Sequence, residues 1–389
     1  MSYNNQSLPA VLMRGGTSKG LFFQAKDLPQ DVADRDRVLL SAIGSPDPYG
    51  KQIDGLGAAT SSTSKVVIIR PSQRDDCDID YLFGHVAIEQ AVIDYSGNCG
   101  NLSSAVGVFA VEQGLVVPTE PTTIVRVWQA NLDKAIRIHV PSDKQAVITS
   151  GDYAIAGVPG TGAAIRVEFM DPGDGPGGSA LPTGKAQDEL AIDGVGLIPV
   201  SLMNAGNPTV IVQPDQLGLT GTELPDQINR NIDLLQRVEA IRCAASVAMK
   251  LCPDISAARK QPGTPKLAWV CPPETYTATD GTDIPAGQID ICTRIFSMGR
   301  LHHAFTGTGA IALAVASAIP GTLVAECPRN KRLTKSLRIG HSAGTMDAEA
   351  SMYGTNQFGR PKSASILRTA RTLMSGHVHL PMPITDLNK

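Results

Sequence analysis

The sequence has few aromatic residues, few charges and no long apolar run. Phe, Trp and Tyr make up 4% of the 389 residues, so the core must be built mainly from Val, Ile, Leu and Ala. The net charge is −3 and no basic block occurs, which argues against a nucleic-acid partner. No apolar run reaches the roughly 18 residues of a membrane-spanning helix, and no membrane partner is expected.

The seven cysteines are scattered, without a Cys-x-x-Cys pair. An odd number without regular spacing fits a reducing cytoplasm better than a disulfide framework or a zinc site. The N-terminal residues also lack the charged and apolar segments of a secretory signal. We therefore expect a cytoplasmic protein. Neither His302-His303 nor His377-x-His379 has a cluster of carboxylates beside it, so we expect ordinary surface or core histidines and no metal. No nucleotide-binding motif is present, and no organic cofactor is expected.

The length and the turn-forming residues predict two domains with many short elements. A chain of 389 residues is too long for one ordinary core, and it contains 38 Gly and 27 Pro. The densest turn cluster is P-G-D-G-P-G-G at 172–178, and we place the boundary just beyond it. The predicted domains are residues 1–185 and 186–389, and a return of the last strand to the first domain is left open. In the second domain a long amphipathic helix is predicted from about Pro225 to Lys250.

Two helix-length segments, 101–111 and 309–319, have almost no polar face. A helix that is apolar all round must be surrounded by protein. In a chain rich in short strands, this predicts an α+β fold with two similar halves, each a curled and mostly antiparallel β-sheet wrapped around a central buried helix. The segments also align with a period of 207 residues, which places Gly100 on Gly307, Ala105 on Ala312 and Val108 on Val315.

Both buried helices begin with small polar residues and glycines, N-C-G-N in the first and T-G-T-G in the second. Helix N-termini present free N–H groups and partial positive charge, and glycine lets an anion approach the backbone. Either end alone is explained by helix capping. Two such ends facing one cleft favour a site for two carboxylates. Cys99 stands at the first helix start, where a thiolate is favoured.

Lys65 follows a run of small hydroxyl residues and leads into the β-branched segment V-V-I-I. A lysine at the edge of a strand is usually solvated, but this context predicts a position at a protein-lined end of the strand. Burial and positive neighbours favour the neutral amine of a lysine. Lys65 is therefore a candidate general base.

Several motifs, spread in order over nearly the whole chain, resemble those of the PrpF family, which has the diaminopimelate-epimerase-like fold. They are M-R-G-G-T-S-K-G (13–20), G-S-P-D-P-Y-G-K-Q-I-D-G (44–55), A-T-S-S-T-S-K (59–65), D-Y-S-G-N-C-G-N (94–101) and S-M-G-R-L-H-H-A (297–304). The resemblance implies a cofactor-independent isomerase of unsaturated tricarboxylates, with its site between two similar halves. It also implies that Lys65 is the catalytic base and that Cys99 is the site cysteine.

The resemblance leaves the substrate open. The motifs look closest to enzymes that convert 2-methyl-trans-aconitate to 2-methyl-cis-aconitate in propionate breakdown. 4-Oxalomesaconate and methylitaconate isomerases are the alternatives, and a non-catalytic polycarboxylate-binding protein is the alternative of another class. Related epimerases use two cysteines, but here the second position is Thr306, whose hydroxyl is too weak an acid. This favours a one-base proton transfer by Lys65, with Cys99 as an anchor for substrate.

The expected partner is a small tricarboxylate, and a homodimer or higher homo-oligomer is left open. The residues expected to bind the substrate carboxylates lie in the turns and helix starts of both halves. They are Thr17, Ser18, Lys19, Ser64, Asn98, Gly100, Asn101, Asn204, Gly206, Lys266, Ser297, Met298, Gly307 and Thr308.

Overall fold

The computed structural model describes residues 7–328, 336–354 and 358–381. The first half contains β1 (Ser7–Gly15), β2 (Ser18–Gln24), α1 (Val32–Ile43), β3 (Lys65–Pro71), β4 (Ile79–Val86), β5 (Ile93–Asp94), α2 (Gly100–Glu112), β6 (Thr122–Gln129), β7 (Lys134–Pro141), β8 (Tyr153–Ala154), β9 (Thr161–Gly162) and β10 (Ile165–Met170). The second contains β11 (Asp188–Ile192), β12 (Gly196–Ala205), β13 (Asn207–Val212), α3 (Pro225–Ile228), α4 (Ile232–Ala248), α5 (Ile255–Arg259), β14 (Lys266–Cys271), β15 (Tyr276–Thr277), β16 (Asp283–Ile284), β17 (Ile291–Ser297), β18 (Arg300–Leu301), α6 (Gly307–Ser317), α7 (Leu323–Glu326), β19 (Ser336–His341), β20 (Gly344–Met352), β21 (Pro361–Arg368) and β22 (Ala370–His379).

The two halves repeat one order of strand pairing. In the first, β1 and β2 are antiparallel, β2 runs parallel to β3, and β3 is antiparallel to β4. In the second, β12, β13, β14 and β17 pair in the same order and the same senses. The series continues with β4 parallel to β6 and β17 parallel to β19, each followed by an antiparallel hairpin. The predicted α+β class, with two similar and mostly antiparallel halves, is confirmed.

The halves are joined through their sheets. β10 pairs antiparallel with β21, so one sheet continues into the other. The last strand, β22, pairs with β1 along its whole length, while β11 pairs with β12. The predicted domain boundary near residue 185 falls between β10 and β11 and stays a prediction.

Each half wraps its sheet around one helix, because that helix has no polar face to leave in water. Residues 100–111 of α2 and 307–316 of α6 are all buried. Phe109 of α2 packs against Phe22 of β2, with ring centroids 5.6 Å apart. The helices begin at Gly100 and Gly307, which are 207 positions apart. Burial on every side is the arrangement that an all-round apolar helix requires.

The predicted long helix of residues 225–250 is wrong in one respect, since the structure has two helices there. Asn229 ends α3, and its side chain makes two hydrogen bonds with the backbone of Leu301. The Asn231 side chain then accepts a hydrogen bond from the N–H of Leu234 and caps α4. Asparagine caps compete with helix continuation in this way. Across the described ranges, no helix is long and apolar enough to cross a membrane.

Candidate active site

A small cavity lies where the N-termini of α2 and α6 meet. The two helix ends touch through glycine backbone. A Cβ added to Gly100 would lie 2.8 Å from the backbone nitrogen of Thr308, and one added to Gly307 would lie 2.8 Å from the carbonyl carbon of Gly100. Two sets of free helix N–H groups therefore converge on one small space, which is an arrangement that binds anions.

The two predicted catalytic side chains share one hydroxyl. Lys65 is the first residue of β3 and is buried, and its Nζ donates a hydrogen bond to Ser18 Oγ at 2.9 Å. The Cys99 thiol is 3.8 Å from the same oxygen. Cys99 also caps α2, because its sulfur accepts from the N–H of Leu102 at 3.5 Å. The strand start, the β1–β2 hairpin and the helix cap thus bring an amine and a thiol together.

Lys266, the first residue of β14, stands in the same cavity and is buried. Its Nζ is 3.3 Å from the carbonyl oxygen of Gly263 and 3.4 Å from Ser297 Oγ, so both hydrogen bonds are long. Burial, and then the charge of Lys65, lower the pKa of Lys266 to about 8. An amine in this state exchanges protons near neutral pH.

Three side chains of the cavity wall carry buried polar atoms without a hydrogen-bond partner among the described residues. These atoms are His85 Nε2, both polar atoms of the Asn98 amide and Thr308 Oγ1. Buried polar groups are normally paired, so the unpaired ones mark positions where a ligand can bind. Burial, and then the charges of Lys65 and Lys266, hold the pKa of His85 well below its usual value. His85 is therefore neutral at physiological pH.

Hydrogen bonds between the halves close the wall beside the helix ends. Asp94 Oδ2 accepts from the N–H of Gly263 at 2.7 Å, and the N–H of Asn98 donates to Asn207 Oδ1 at 3.1 Å. Asp94 is buried and lies directly opposite His85 on the neighbouring strand. These bonds hold the cavity residues of one half against those of the other.

The structure brings most of the predicted site residues to this cavity. Those that line it are Lys65, Asn98, Cys99, Gly100, Asn101, Lys266, Ser297, Gly307 and Thr308. Their roles in binding and catalysis stay predictions. Among them, the Asn101 amide donates to Thr17 Oγ1 and to the carbonyl of Phe305, while its Oδ1 accepts from Arg368. The Asn101 side chain is thus held by protein groups, which leaves its backbone N–H for a ligand.

The other predicted residues are not part of the cavity lining. Ser18 contacts Lys65 and Cys99, and Thr17 contacts Asn101. The Ser64 hydroxyl donates to Gln52. The remaining four lie in hairpins: Lys19 pairs with Arg14, Asn204 pairs with Pro208, Gly206 forms the β12–β13 turn, and Met298 forms the β17–β18 turn.

Sequence reasoning missed several residues of the cavity wall, namely Phe83, His85, Asp94, Gly97, Asn207, Gly263, His302 and Thr306 as a lining residue. For His85 a signal was available only after strand pairing was known, since it lies directly opposite Lys65. His302 and His303 both contact Ser62 Oγ at 3.1 Å. Within the described residues, no group of three or more His, Cys, Asp or Glu is arranged to hold a metal ion.

The comparison with known proteins agrees with this architecture. The model of the PrpF protein family matches residues 5–381. A 2-methyl-aconitate isomerase from Cupriavidus necator is 44% identical over 385 residues, covering 96% of this chain and 97% of that one. The crystal structure of a methylitaconate-delta-isomerase has a TM-score of 0.77 at 38% identity, covering 97% of this chain and 96% of that chain.

A probable proline racemase from Agrobacterium radiobacter K84 shares the fold, with a TM-score of 0.58 at 13% identity, over 97% of this chain and 94% of that chain. The predicted diaminopimelate-epimerase-like fold is confirmed. The chain is an isomerase, and it belongs to the PrpF family.

Proposed function

We propose that this isomerase converts 2-methyl-trans-aconitate to 2-methyl-cis-aconitate by proton transfer, with Lys65 as the base. The single observation that carries the proposal is the Ser18 hydroxyl shared by Lys65 and Cys99 at the meeting point of two helix N-termini. An amine that is held beside an anion-binding space can reach a proton next to a bound carboxylate. The chemistry then needs only positioned groups of the protein.

The proposed reaction begins when the neutral amine of Lys65 removes a proton from the carbon next to the double bond and a carboxylate. The electron pair spreads into that carboxylate and gives a dienolate. The N–H groups of both helix ends face this charge and stabilise it. The former double bond gains single-bond character and rotates, and return of a proton fixes the new geometry. In this scheme Cys99 anchors a substrate carboxylate.

The substrate class follows from the charges of the cavity. Two lysines and two helix ends suit an anion with several carboxylates, whereas Asp94 is the one carboxylate of the cavity lining and is engaged by the Gly263 N–H. Greater identity to the 2-methyl-aconitate isomerase, 44% against 38% for the methylitaconate enzyme, favours the former substrate. 4-Oxalomesaconate and methylitaconate remain the alternative substrates of the same reaction class.

The test is a side-by-side assay of the three substrates by ultraviolet absorbance, with products identified by NMR. We expect the highest kcat/KM with 2-methyl-trans-aconitate. A higher value with 4-oxalomesaconate or methylitaconate would change the proposed substrate but not the proposed reaction class. Binding of all three without any product would instead identify a polycarboxylate-binding protein.

The proposal includes the setting of the enzyme. We propose a cytoplasmic enzyme that works without metal or organic cofactor, and a homo-oligomeric state is compatible with it. The location is supported by the odd number and scattered spacing of the seven cysteines, which fit a reducing compartment. Dialysis against EDTA should leave activity intact, and size-exclusion chromatography with light scattering measures the oligomeric state.

A further inference from the structure

Lys266 is the counterpart of Lys65 in the second half. Each is the first residue of its strand, and each strand runs parallel to the second strand of the preceding hairpin. The equivalent register pairs are Val66 with Leu21 in the first half and Leu267 with Val210 in the second. The helix caps correspond as well, Cys99 before α2 and Thr306 before α6. The second half therefore has Thr306 where the first half has the Cys99 thiol, but it keeps an amine, Lys266, where the first half has Lys65.

The two lysines face one cavity from opposite halves. Five charged or titratable groups interact electrostatically with Lys266, namely Lys65 on β3, His85 on β4, Asp94 on β5, Cys99 before α2 and His302 after β18. Two ammonium groups in a buried space repel each other, and after burial the charge of Lys65 is the second cause that lowers the pKa of Lys266 to about 8. The Lys266 ammonium therefore gives up its proton more readily than that of an ordinary lysine.

We propose that Lys266 is a second proton-transfer residue, which protonates the dienolate after Lys65 has removed the first proton. This rests on the proposed function. In the first step a C–H bond of the substrate breaks and the proton moves to the Lys65 amine. In the second an N–H bond of the Lys266 ammonium breaks and a new C–H bond forms. Transfer of one proton from Lys65 back to Lys266, through solvent, restores the starting state. A two-lysine reaction replaces the one-base scheme expected from the sequence.

The competing role for Lys266 is simple binding of a carboxylate, and Lys266→Arg separates the two. Arginine keeps the positive charge but does not give up its proton near neutral pH. If Lys266 only binds substrate, Lys266→Arg should keep kcat within about threefold. If Lys266 transfers a proton, kcat should fall by roughly 10²-fold or more while KM changes little. Lys26→Met, an exposed lysine far along the chain from the cavity residues, serves as the matched surface control.

The second readout is solvent-deuterium exchange into unreacted substrate, measured by NMR and divided by the turnover rate. This ratio does not depend on the fraction of folded enzyme, so it stays informative if Lys266→Arg or Lys266→Met is poorly stable. We expect the ratio to rise at least tenfold in both variants, because Lys65 still removes a proton and the dienolate returns to substrate. An unchanged ratio would overturn the proposal and leave Lys266 as an anchor.

Failure of the proposed function gives a different result. If Lys65 is not the base, Lys65→Met keeps both exchange and turnover, whatever the Lys266 variants do. If 2-methyl-trans-aconitate is not the substrate, the wild-type enzyme shows neither, and the same ratio is measured with whichever of the three candidate substrates it converts.

Discussion

Gly100→Ala should lower both stability and catalytic rate, because its methyl group would enter the contact between the two helix N-termini. The added Cβ would lie 2.8 Å from Thr308 N, 2.9 Å from Gly307 C and 3.1 Å from Gly307 Cα. All three are backbone atoms of the opposing helix end, which cannot rotate away as a flexible side chain would. Overpacking of this kind costs about 1–3 kcal/mol. We expect a loss of stability in that range.

The same displacement moves the anion-binding N–H groups of one helix relative to the other. A shift near 1 Å in a positioned site costs about 10²-fold in rate, so kcat/KM should fall by that order. Denaturant unfolding and steady-state kinetics measure the two effects. Gly376→Ala is the matched control, because a Cβ there has no neighbour within 4 Å. If Gly100→Ala behaves like this control in both assays, the helix ends do not form the binding site.

Lys65→Ala should lower turnover by roughly 10²- to 10⁴-fold with an unchanged circular dichroism spectrum, and residual activity above a tenth would place the base elsewhere. Cys99→Ser should be milder and raise mainly KM, by about 1–2 kcal/mol of binding, whereas a collapse of kcat would make the thiol an essential acid. Stability should fall as pH drops below about 6.5, because burial lowers the pKa of His85, His302 and His341 in the folded state and the unfolded chain binds protons first. For each histidine the free energy of unfolding should fall by at most about 1.4 kcal/mol per pH unit. Urea unfolding midpoints that do not change from pH 7 to 5 would contradict this prediction. Activity should survive dialysis against EDTA, and a loss restored by a divalent cation would refute the cofactor-free scheme.

The buried helices could be predicted because their signal is local. Residues 101–111 and 309–319 have no polar face, and only enclosure by a sheet satisfies such a segment. The helix N-termini and their glycines directly precede these segments in the sequence, so Gly100, Gly307 and Thr308 could be predicted as site residues. The break in the predicted helix of residues 225–250 could not be foreseen, since it depends on hydrogen bonds from Asn229 to the distant Leu301.

The rest of the cavity wall depends on strand register, which a single sequence does not specify. His85 enters the site because it pairs with Lys65, and Asn207 because its side chain reaches across to the backbone of Asn98. Asp94 faces the cavity while its carboxylate accepts from Gly263. The partners are far apart in the sequence, by 109 positions for Asn98 and Asn207 and by 169 for Asp94 and Gly263. Long-range pairing therefore decides which polar residues of the loops become site residues.

Thr306 stands in the second half where Cys99 stands in the first, so the two helix caps do not offer the same chemistry. A hydroxyl at the start of α6 can cap the helix, and it does, since Thr306 Oγ1 accepts from the N–H of Gly309 at 3.1 Å. It cannot act as an acid or base near neutral pH. In the first half the Lys65 amine and the Cys99 thiol both contact the Ser18 hydroxyl. In the second half the Lys266 amine contacts the Ser297 hydroxyl. The helix caps of the two halves thus differ, while the first residues of β3 and β14 are both lysines. Each half can therefore still present a proton-transfer group to the cavity.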